Sequence, residues 1–328
     1  MKSVIITGGN SGLGFECARA LVETREWYVI VACRDPERGR EAIKRLYARS
    51  WYKPMEAMVL DLGSMASIRT FAANYAARGD LPPLGALVCN AGTQVVAKRT
   101  QTADGFETTF GVNHLGHFLL ANLMLRQMEP QARIIFVSSG THDPSQTTGM
   151  PAPRLLTARE LAYPERNAET MRESPGQFGR RAYTTSKLCN VMCTYEMSRR
   201  LRLEESNLQG ITVNAFDPGL MPATGLARDY SGFMRFAWNY VLPVLRPFVP
   251  HVNSVRHSGK ALASLVTDPK LERTTAKYFQ GYKEEPSSTE SYERDRAAAL
   301  WQQSAELVHL TREETPLPLP SDSRASAA

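Results

Sequence analysis

The sequence predicts an α/β fold: a doubly wound parallel sheet with helices on both faces. Three observations predict it. Apolar segments of strand length alternate with stretches of helical periodicity from the N-terminus to about residue 217, the pattern of parallel strands joined by crossover helices. The first strand runs directly into Gly8-Gly9-Asn10-Ser11-Gly12-Leu13-Gly14 and then into a helix. The residues with useful chemistry fall at strand carboxyl ends, where sheets of this kind bind ligands.

The elements follow in order. Ser3–Thr7 reads as a short buried strand, and the helix after the glycine turn carries Phe15, Ala18, Leu21 and Val22 on one face. Strand, glycine loop and helix N-terminus offer backbone N–H groups to a phosphate. The spacing is Gly8-x3-Gly12-x-Gly14. Trp27–Cys33 is a second strand, ending at Arg34. Arg34, with Arg38, suits a 2′-phosphate through forked, charge-assisted hydrogen bonds. Asp35 reads as a helix N-cap ahead of Pro36. Met55–Leu60 is a third strand, ending at Asp61-Leu62; Asp61 is either a contact to an adenine amino group or another cap. A helix over 64–78 follows. Gly85–Cys89 is a fourth strand entering Asn90-Ala91-Gly92. Asp104 is expected to cap a long helix containing Asn113-His114-Leu115-Gly116-His117-Phe118. Arg133–Ser138 is a fifth strand, running into Ser139-Gly140. From 140 to 181 periodicity is lost and prolines accumulate, so an irregular insertion is expected; loops of such length are usually functional or disordered.

Tyr183-Thr184-Thr185-Ser186-Lys187 opens a helix over 182–203. Tyr183 and Lys187 are four apart and share a face. A free phenol with a pKa of about 10 is a poor base near neutrality, but a neighbouring ammonium favours the phenolate. Such a tyrosine can give a proton to a carbonyl oxygen or take one from an alcohol. Ile211–Phe216 is a sixth strand, ending Asp217-Pro218-Gly219. An apolar, aromatic stretch follows at Phe233–Val249, then a helix over 254–266, a short strand over 276–279 and a helix over 291–310. The expected organisation is one domain over 1–315, with an insertion at 140–181 and a substrate lid at 220–252. A polar, proline-containing tail, 316–328, is expected to be disordered.

Composition sets the outer limits. The 328 residues hold 39 Lys+Arg against 33 Asp+Glu, a net charge of +6. The basic residues are spread, with only small clusters at Arg180-Arg181 and Arg199-Arg200-Arg202, so solvated helix faces are expected and nucleic-acid binding is not. Five cysteines form no CxxC and no even framework, which points to a reducing cytoplasmic setting. His114 and His117 share a helix face but lack a third ligand; they read as packing or hydrogen-bonding residues, with no metal site. No apolar run approaches the roughly 20 residues of a membrane span. Peripheral membrane contact is the alternative use of the apolar stretch at 233–249. The oligomeric state is open, a homo-oligomer included.

Together, Thr7-Gly8-x3-Gly12-x-Gly14, Asn90-Ala91-Gly92, Ser139, Tyr183-x3-Lys187 and Pro218-Gly219 resemble the short-chain dehydrogenases/reductases, over 3 to about 310. Asn113 matches that family's fourth catalytic position. Ala32-Cys33-Arg34, Asn113–Phe118 and Ser186-Lys187-Leu188 look like the branch of retinol dehydrogenases and light-dependent protochlorophyllide oxidoreductases. The long insertion and Leu188-Cys189-Asn190 lean to the second group. Asp217 and Leu220 depart from it, standing where that enzyme has a tyrosine and a cysteine.

The resemblance implies a Rossmann-type domain that transfers hydride between the nicotinamide of NADPH/NADP+ and a substrate carbon. It implies Tyr183 as general acid/base and Lys187 as the group that lowers its pKa and holds the nicotinamide ribose. Ser139 would hydrogen-bond the reacting oxygen, and Asn113 would help relay a proton through water. The cofactor would be held by Gly8, Asn10, Ser11, Gly12, Leu13, Gly14, Arg34, Arg38, Asp61, Leu62, Asn90, Ala91, Gly92, Tyr183, Lys187, Pro218, Gly219 and Thr224. The expected substrate is a small molecule, a bulky apolar carbonyl or alcohol. Light-driven reduction of protochlorophyllide is an alternative. Leu220 cannot donate a proton, and an ionised Asp217 facing an apolar pigment would be costly. A non-catalytic NADP(H)-binding redox sensor is the third reading, weakened by the presence of all four catalytic residue types.

Overall fold

The computed structural model describes residues 1–48, 54–203, 207–221 and 253–319. Eight strands form one sheet: β1 (Lys2–Thr7), β2 (Trp27–Cys33), β3 (Met55–Val59), β4 (Leu84–Cys89), β5 (Met128–Val137), β6 (Thr212–Asp217), β7 (Lys277–Gln280) and β8 (Lys283–Glu285). Their order is β3-β2-β1-β4-β5-β6-β7-β8. All neighbours pair in parallel except β7 and β8. The order reverses between β1 and β4, and a crevice opens at such a switch point beyond the strand carboxyl ends.

The strands alternate sharply between two cores. Val4 and Ile6 of β1 and Val29 and Val31 of β2 face one layer; Ile5, Ile30 and Ala32 face the other. A period of two that is apolar on both sides marks a strand covered on both faces. The first layer is α1 (Gly12–Thr24), α2 (Pro36–Tyr47) and α8 (Val255–Thr267). The second is α3 (Met65–Ala76), α4, α7 (Pro175–Leu203) and α9 (Arg294–Leu307). Here α4 denotes three continuous pieces: Thr108–Phe110, a π turn Gly111–Leu115, and Gly116–Met124. Trp301 of α9, 1% exposed, meets Phe118 of α4 edge-on at 4.7 Å and seals that layer.

Several expectations change. Asp104 does not cap α4: its carboxylate accepts from Met65 N–H at the start of α3, while Glu107 caps α4 through Thr109 and Phe110 N–H. The insertion is not structureless. It holds a 3₁₀ turn at Gly140–His142, helix α5 (Ala158–Ala162) with a Thr157/Glu160 capping box, and helix α6 (Ala168–Arg172). Helix α7 begins at Pro175 rather than 182; Ser174 precedes it, its Oγ accepting from Gln177 N–H at 3.4 Å and its carbonyl taking the first helical bond from Phe178 N–H. Gly179 does not break it, because this turn lies on the 95–96 backbone: a Cβ there would sit 1.9 Å from Val95 O. The tail expected from 316 is docked at its start. Leu317 and Leu319 are buried, and Arg200 donates to Pro318 O. Residues 320–328, Thr224 and all but the first two residues of the expected 220–252 lid lie outside the described residues.

Candidate active site

The cofactor end is built by exclusion of side chains. After β1 the chain turns through Gly8 (φ 64°) and Gly12 (φ 55°), left-handed conformations that suit glycine. Gly14 packs so closely that a Cβ would lie 2.5 Å from Asn90 Nδ2 and 2.7 Å from Gly8 O. Asn90 is fixed in turn. Its Nδ2 donates to Thr7 O at 2.7 Å, and its N–H and that of Ala91 donate to Thr7 Oγ1. Asn10 is half-buried, Leu13 is buried, and Ser11 and Gly12 are exposed. Ser11 is the N-cap residue of α1 but its side chain makes no cap bond, and nothing lies within 4 Å of a Cβ on Gly12. An N–H-rich helix terminus that is open among the described residues fits a pyrophosphate.

At the end of β2, Arg34 is exposed. Asp35 is the N-cap of α2, accepting from Glu37 N–H (2.9 Å) and Arg38 N–H (3.2 Å), and Arg38 pairs with it at 3.5 Å. Arg34 thus stands exposed at the strand end, while Arg38 is engaged with Asp35. Asp61 closes a local turn, its Oδ1 accepting from Gly63 N–H. Leu62 is buried, and its carbonyl lies 2.5 Å from where a Cβ on Gly116 would stand.

The catalytic end is built from buried polar side chains. Tyr183 is 8% exposed and Lys187 3%. Lys187 Nζ donates to Val137 O at 3.0 Å and lies 5.4 Å from the Tyr183 ring centroid. A Cβ on Gly92 would stand 3.5 Å from both Lys187 Nζ and Asn113 Oδ1, so the fourth strand's loop, α4 and α7 meet there. Burial draws the Lys187 ammonium down to about 8, against an upward pull from Asp217. Ser139 is half-buried; its hydroxyl oxygen accepts from Thr141 N–H (3.3 Å) and is 3.1 Å from Thr141 Oγ1. With its acceptor sites used, that hydroxyl is left to donate.

Asn113 sits inside the π turn of α4. Its side chain is fully committed: Oδ1 accepts from Thr93 N–H at 2.7 Å, and Nδ2 donates to Thr93 O and Ser186 Oγ. The amide clamps the loop after β4 to α7, which leaves only its backbone carbonyl for a water relay. That carbonyl also faces His117 Nδ1 at 3.0 Å, and His117 Nε2 is 2.9 Å from Thr7 Oγ1. Burial holds His117 down at about 4, so it is neutral at pH 7. A carbonyl can only accept, so Nδ1 carries the proton in this network and Nε2 accepts from Thr7. His117 thus ties the glycine-turn strand to the π turn. His114 bridges to α9 instead, with Nε2 3.0 Å from Ser304 Oγ.

Asp217 is placed where the sequence did not put it. It is 2% exposed and turned inward: Oδ1 accepts from Gly219 N–H at 2.9 Å and Oδ2 from Gln280 Nε2 at 3.2 Å. The expected cost of this carboxylate against an apolar ligand therefore falls away. Pro218 and Gly219 (φ 74°) form the turn beyond β6, pinned by Ser258 Oγ donating to Pro218 O. Thr7, His117 and Asp217 were visible only as motif members; their roles depend on partners 63 to 110 residues away.

The five cysteines are buried, unpaired thiols. No group of three metal-ligating side chains occurs among the described residues, and no described helix is long and apolar enough to cross a membrane. A cavity of about 390 Å³ is lined by Leu188, Cys189 and Met192 of α7 with residues of the insertion and α9. At 100° per residue those positions lie on a different face from Tyr183 and Lys187, so it is not the reaction pocket.

Residues 2–149 match the model of the short chain dehydrogenase family, and residues 226–317 that of an AcuH dehydrogenase domain. The chain is 38% identical over 325 residues to protochlorophyllide reductase A, chloroplastic, of Oryza sativa subsp. japonica, covering 94% of this chain and 80% of that one. It is 35% identical over 325 residues to the protochlorophyllide reductase of Avena sativa, covering 94% and 99%. A solved structure of an uncharacterized protein from Mycobacterium paratuberculosis superposes with a TM-score of 0.66 at 28% identity, over 97% of this chain and 96% of that one. The blue fluorescent protein from a metagenomic library, solved with NADPH, shares the fold at a TM-score of 0.59 and 21% identity, over 86% and 97%. The glycine turn at the sheet's switch point, the Tyr183–Lys187 pair and the breadth of these matches agree: the chain belongs to the short-chain dehydrogenase/reductase family, in its protochlorophyllide reductase-like branch, and is an oxidoreductase that works with NADPH/NADP+.

Proposed function

We propose that this enzyme reduces a bulky, apolar carbonyl compound with NADPH in a reaction that needs no light, or runs the reverse oxidation. The observation that carries it is the buried Lys187 ammonium beneath the Tyr183 ring; the Ser139 hydroxyl, its acceptor sites used by Thr141, is left to donate. Bound NADPH supplies the hydride from its nicotinamide C4. Tyr183 gives its proton to the oxygen being reduced, or takes it back in the reverse direction. Lys187 favours the phenolate that results and holds the nicotinamide ribose. Ser139 donates to the reacting oxygen, and Asn113 keeps the π turn and α7 in register. The Gly8–Gly14 turn and Asn90–Gly92 cradle the dinucleotide; Asp61 and Leu62 border its adenine end, Pro218-Gly219 and Thr224 its nicotinamide end. Arg34, assisted by Arg38, selects the 2′-phosphate.

The second reading is light-driven reduction of protochlorophyllide, favoured by 34–38% identity to protochlorophyllide reductases over 94% of this chain. Inward-turned Asp217 leaves that reading open, whereas Leu220 offers no proton, so Tyr183 would have to be the donor. The test is NADPH consumption with a panel of bulky apolar aldehydes and ketones in darkness, and with protochlorophyllide in darkness and in light. Dark turnover of a panel member supports the first reading. Pigment conversion confined to light, with an inert panel, would replace it by the second.

A further inference from the structure

We propose that Asp217 is the counter-charge of the buried Lys187 ammonium, a positioning residue for the Tyr183–Lys187 pair rather than a group that faces substrate. The inference rests on the reading that Lys187 holds the cofactor ribose.

The geometry comes from adjacent strand ends. Lys187 Nζ donates to Val137 O, at the end of β5. Val137 pairs with Phe216 of β6, and Asp217 is the next residue. On its other side Asp217 pairs with Gln280 of β7 and accepts from its amide. The Asp217 Oδ2 lies 3.1 Å from where a Cβ on Gly140 would stand, next to Ser139. The carboxylate is thus held among the same strand ends as the catalytic groups, away from solvent.

Among the described residues, the other groups brought to Asp217 supply no cation. His142, on the turn after β5, has Nδ1 2.7 Å from Ser139 O and accepts at Nε2 from Ser288 N–H. That pattern fixes the neutral tautomer, and burial pushes its pKa down. Tyr278, from β7, is buried beside the carboxylate; burial and Asp217 push its phenol well up, and its hydroxyl makes no hydrogen bond of good geometry. Asp143 adds negative charge near His142 and Tyr278, and Glu290 near His142. Among the described residues, Lys187, from α7, is the cation that the Asp217 charge acts on, favouring its protonated form. A buried ammonium and a buried carboxylate are each unfavourable alone and compensate when close.

The experiment is a fluorescence titration of NADPH into the full-length protein from pH 6.5 to 10. In the wild type, affinity is expected to fall at alkaline pH as Lys187 loses its proton. Removing a neighbouring negative charge disfavours the cation, so Asp217→Asn should move that inflection to lower pH by about one unit, a tenfold change in proton concentration. Asp217→Glu, which keeps the charge, should hold it near the wild-type position; a purely structural role would disturb both variants alike. Asp217→Ser, still able to accept from Gly219 N–H, serves as a second charge-free variant should Asp217→Asn not fold. An unmoved inflection in the charge-free variants overturns the proposal. Lys187→Ala separates the two layers of inference: it should abolish the inflection, and if the inflection survives there, the ribose-holding role of Lys187 fails.

Discussion

The two ends of the crevice are built on opposite principles. At the cofactor end, function comes from side chains that are missing: Gly12 leaves open space and Gly14 lets α1 lie against Asn90 and Gly8. At the catalytic end it comes from polar side chains that are present, buried and mutually satisfied, such as Asn113, His117, Lys187 and Asp217. The first arrangement is local and steric, the second long-range and electrostatic. They should respond differently to mutation and to pH.

The sharpest separation is expected from Tyr183→Phe. Only a hydroxyl is lost, so folding and NADPH affinity should persist while turnover falls by about 100-fold or more. Near-normal turnover would remove Tyr183 from the mechanism. Arg34→Ala should act at the other end alone. Losing a charged hydrogen-bond partner costs about 1.5–3 kcal/mol, or roughly 10- to 150-fold in the preference for NADPH over NADH. Equal wild-type affinity for the two cofactors would rule out Arg34 as the selecting residue.

Two glycine substitutions divide the cofactor end further. Gly14→Ala meets backbone, so overpacking of about 1–3 kcal/mol is expected. Gly12→Ala meets nothing and should lose only the left-handed backbone preference, about 1–2 kcal/mol. Thermal unfolding of the pair should show the larger drop for Gly14→Ala, together with weakened NADPH binding. The reverse order would mean that the close approach of α1 to Asn90 is not a steric limit.

The smallest effect concerns pH. Burial holds His117 at about 4 and His114 at about 3, both below the ordinary 6.5. Between those values and 6.5 the unfolded chain binds more protons than the folded one. Stability is therefore full above about pH 6.5 and declines as pH falls, by up to about 1.4 kcal/mol per unit for each histidine. His117→Gln should flatten the decline seen in urea melts at pH 7, 6 and 5. An unchanged slope would mean that His117 is not buried in its neutral form.

The contrast also explains what the sequence could reveal. The six parallel strands through 217, the glycine turn and the Tyr183–Lys187 spacing are local patterns of period or neighbour type. The Asp35 cap is local too, and its geometry agrees with the reading. The π turn around Asn113 has no sequence period of its own, so the amide's clamp on Thr93 and Ser186 was not foreseen. Asp104 lies just ahead of α4 in sequence but serves the start of α3, because its partner, Met65 N–H, lies 39 residues back along the chain. The inward turn of Asp217 is not legible in sequence, because the side of a strand end on which a carboxylate turns depends on β7, a later addition to the sheet.

The docked segment before residue 320 bears on how the chain is made. Arg69 of α3 pairs with Glu314, Arg126 donates to Arg312 O, and Asn122 accepts from Thr315. Partners made early thus wait for residues some 186 to 245 positions later. Contacts of such separation form slowly, because the intervening loop must close first. A chain emerging from the ribosome has its glycine turn and first strands in hand long before this strap exists. The N-terminal half must therefore hold its α3–α4 layer without the strap until residues 312–315 have been made, and a truncation ahead of Glu314 would leave it in that unfinished state.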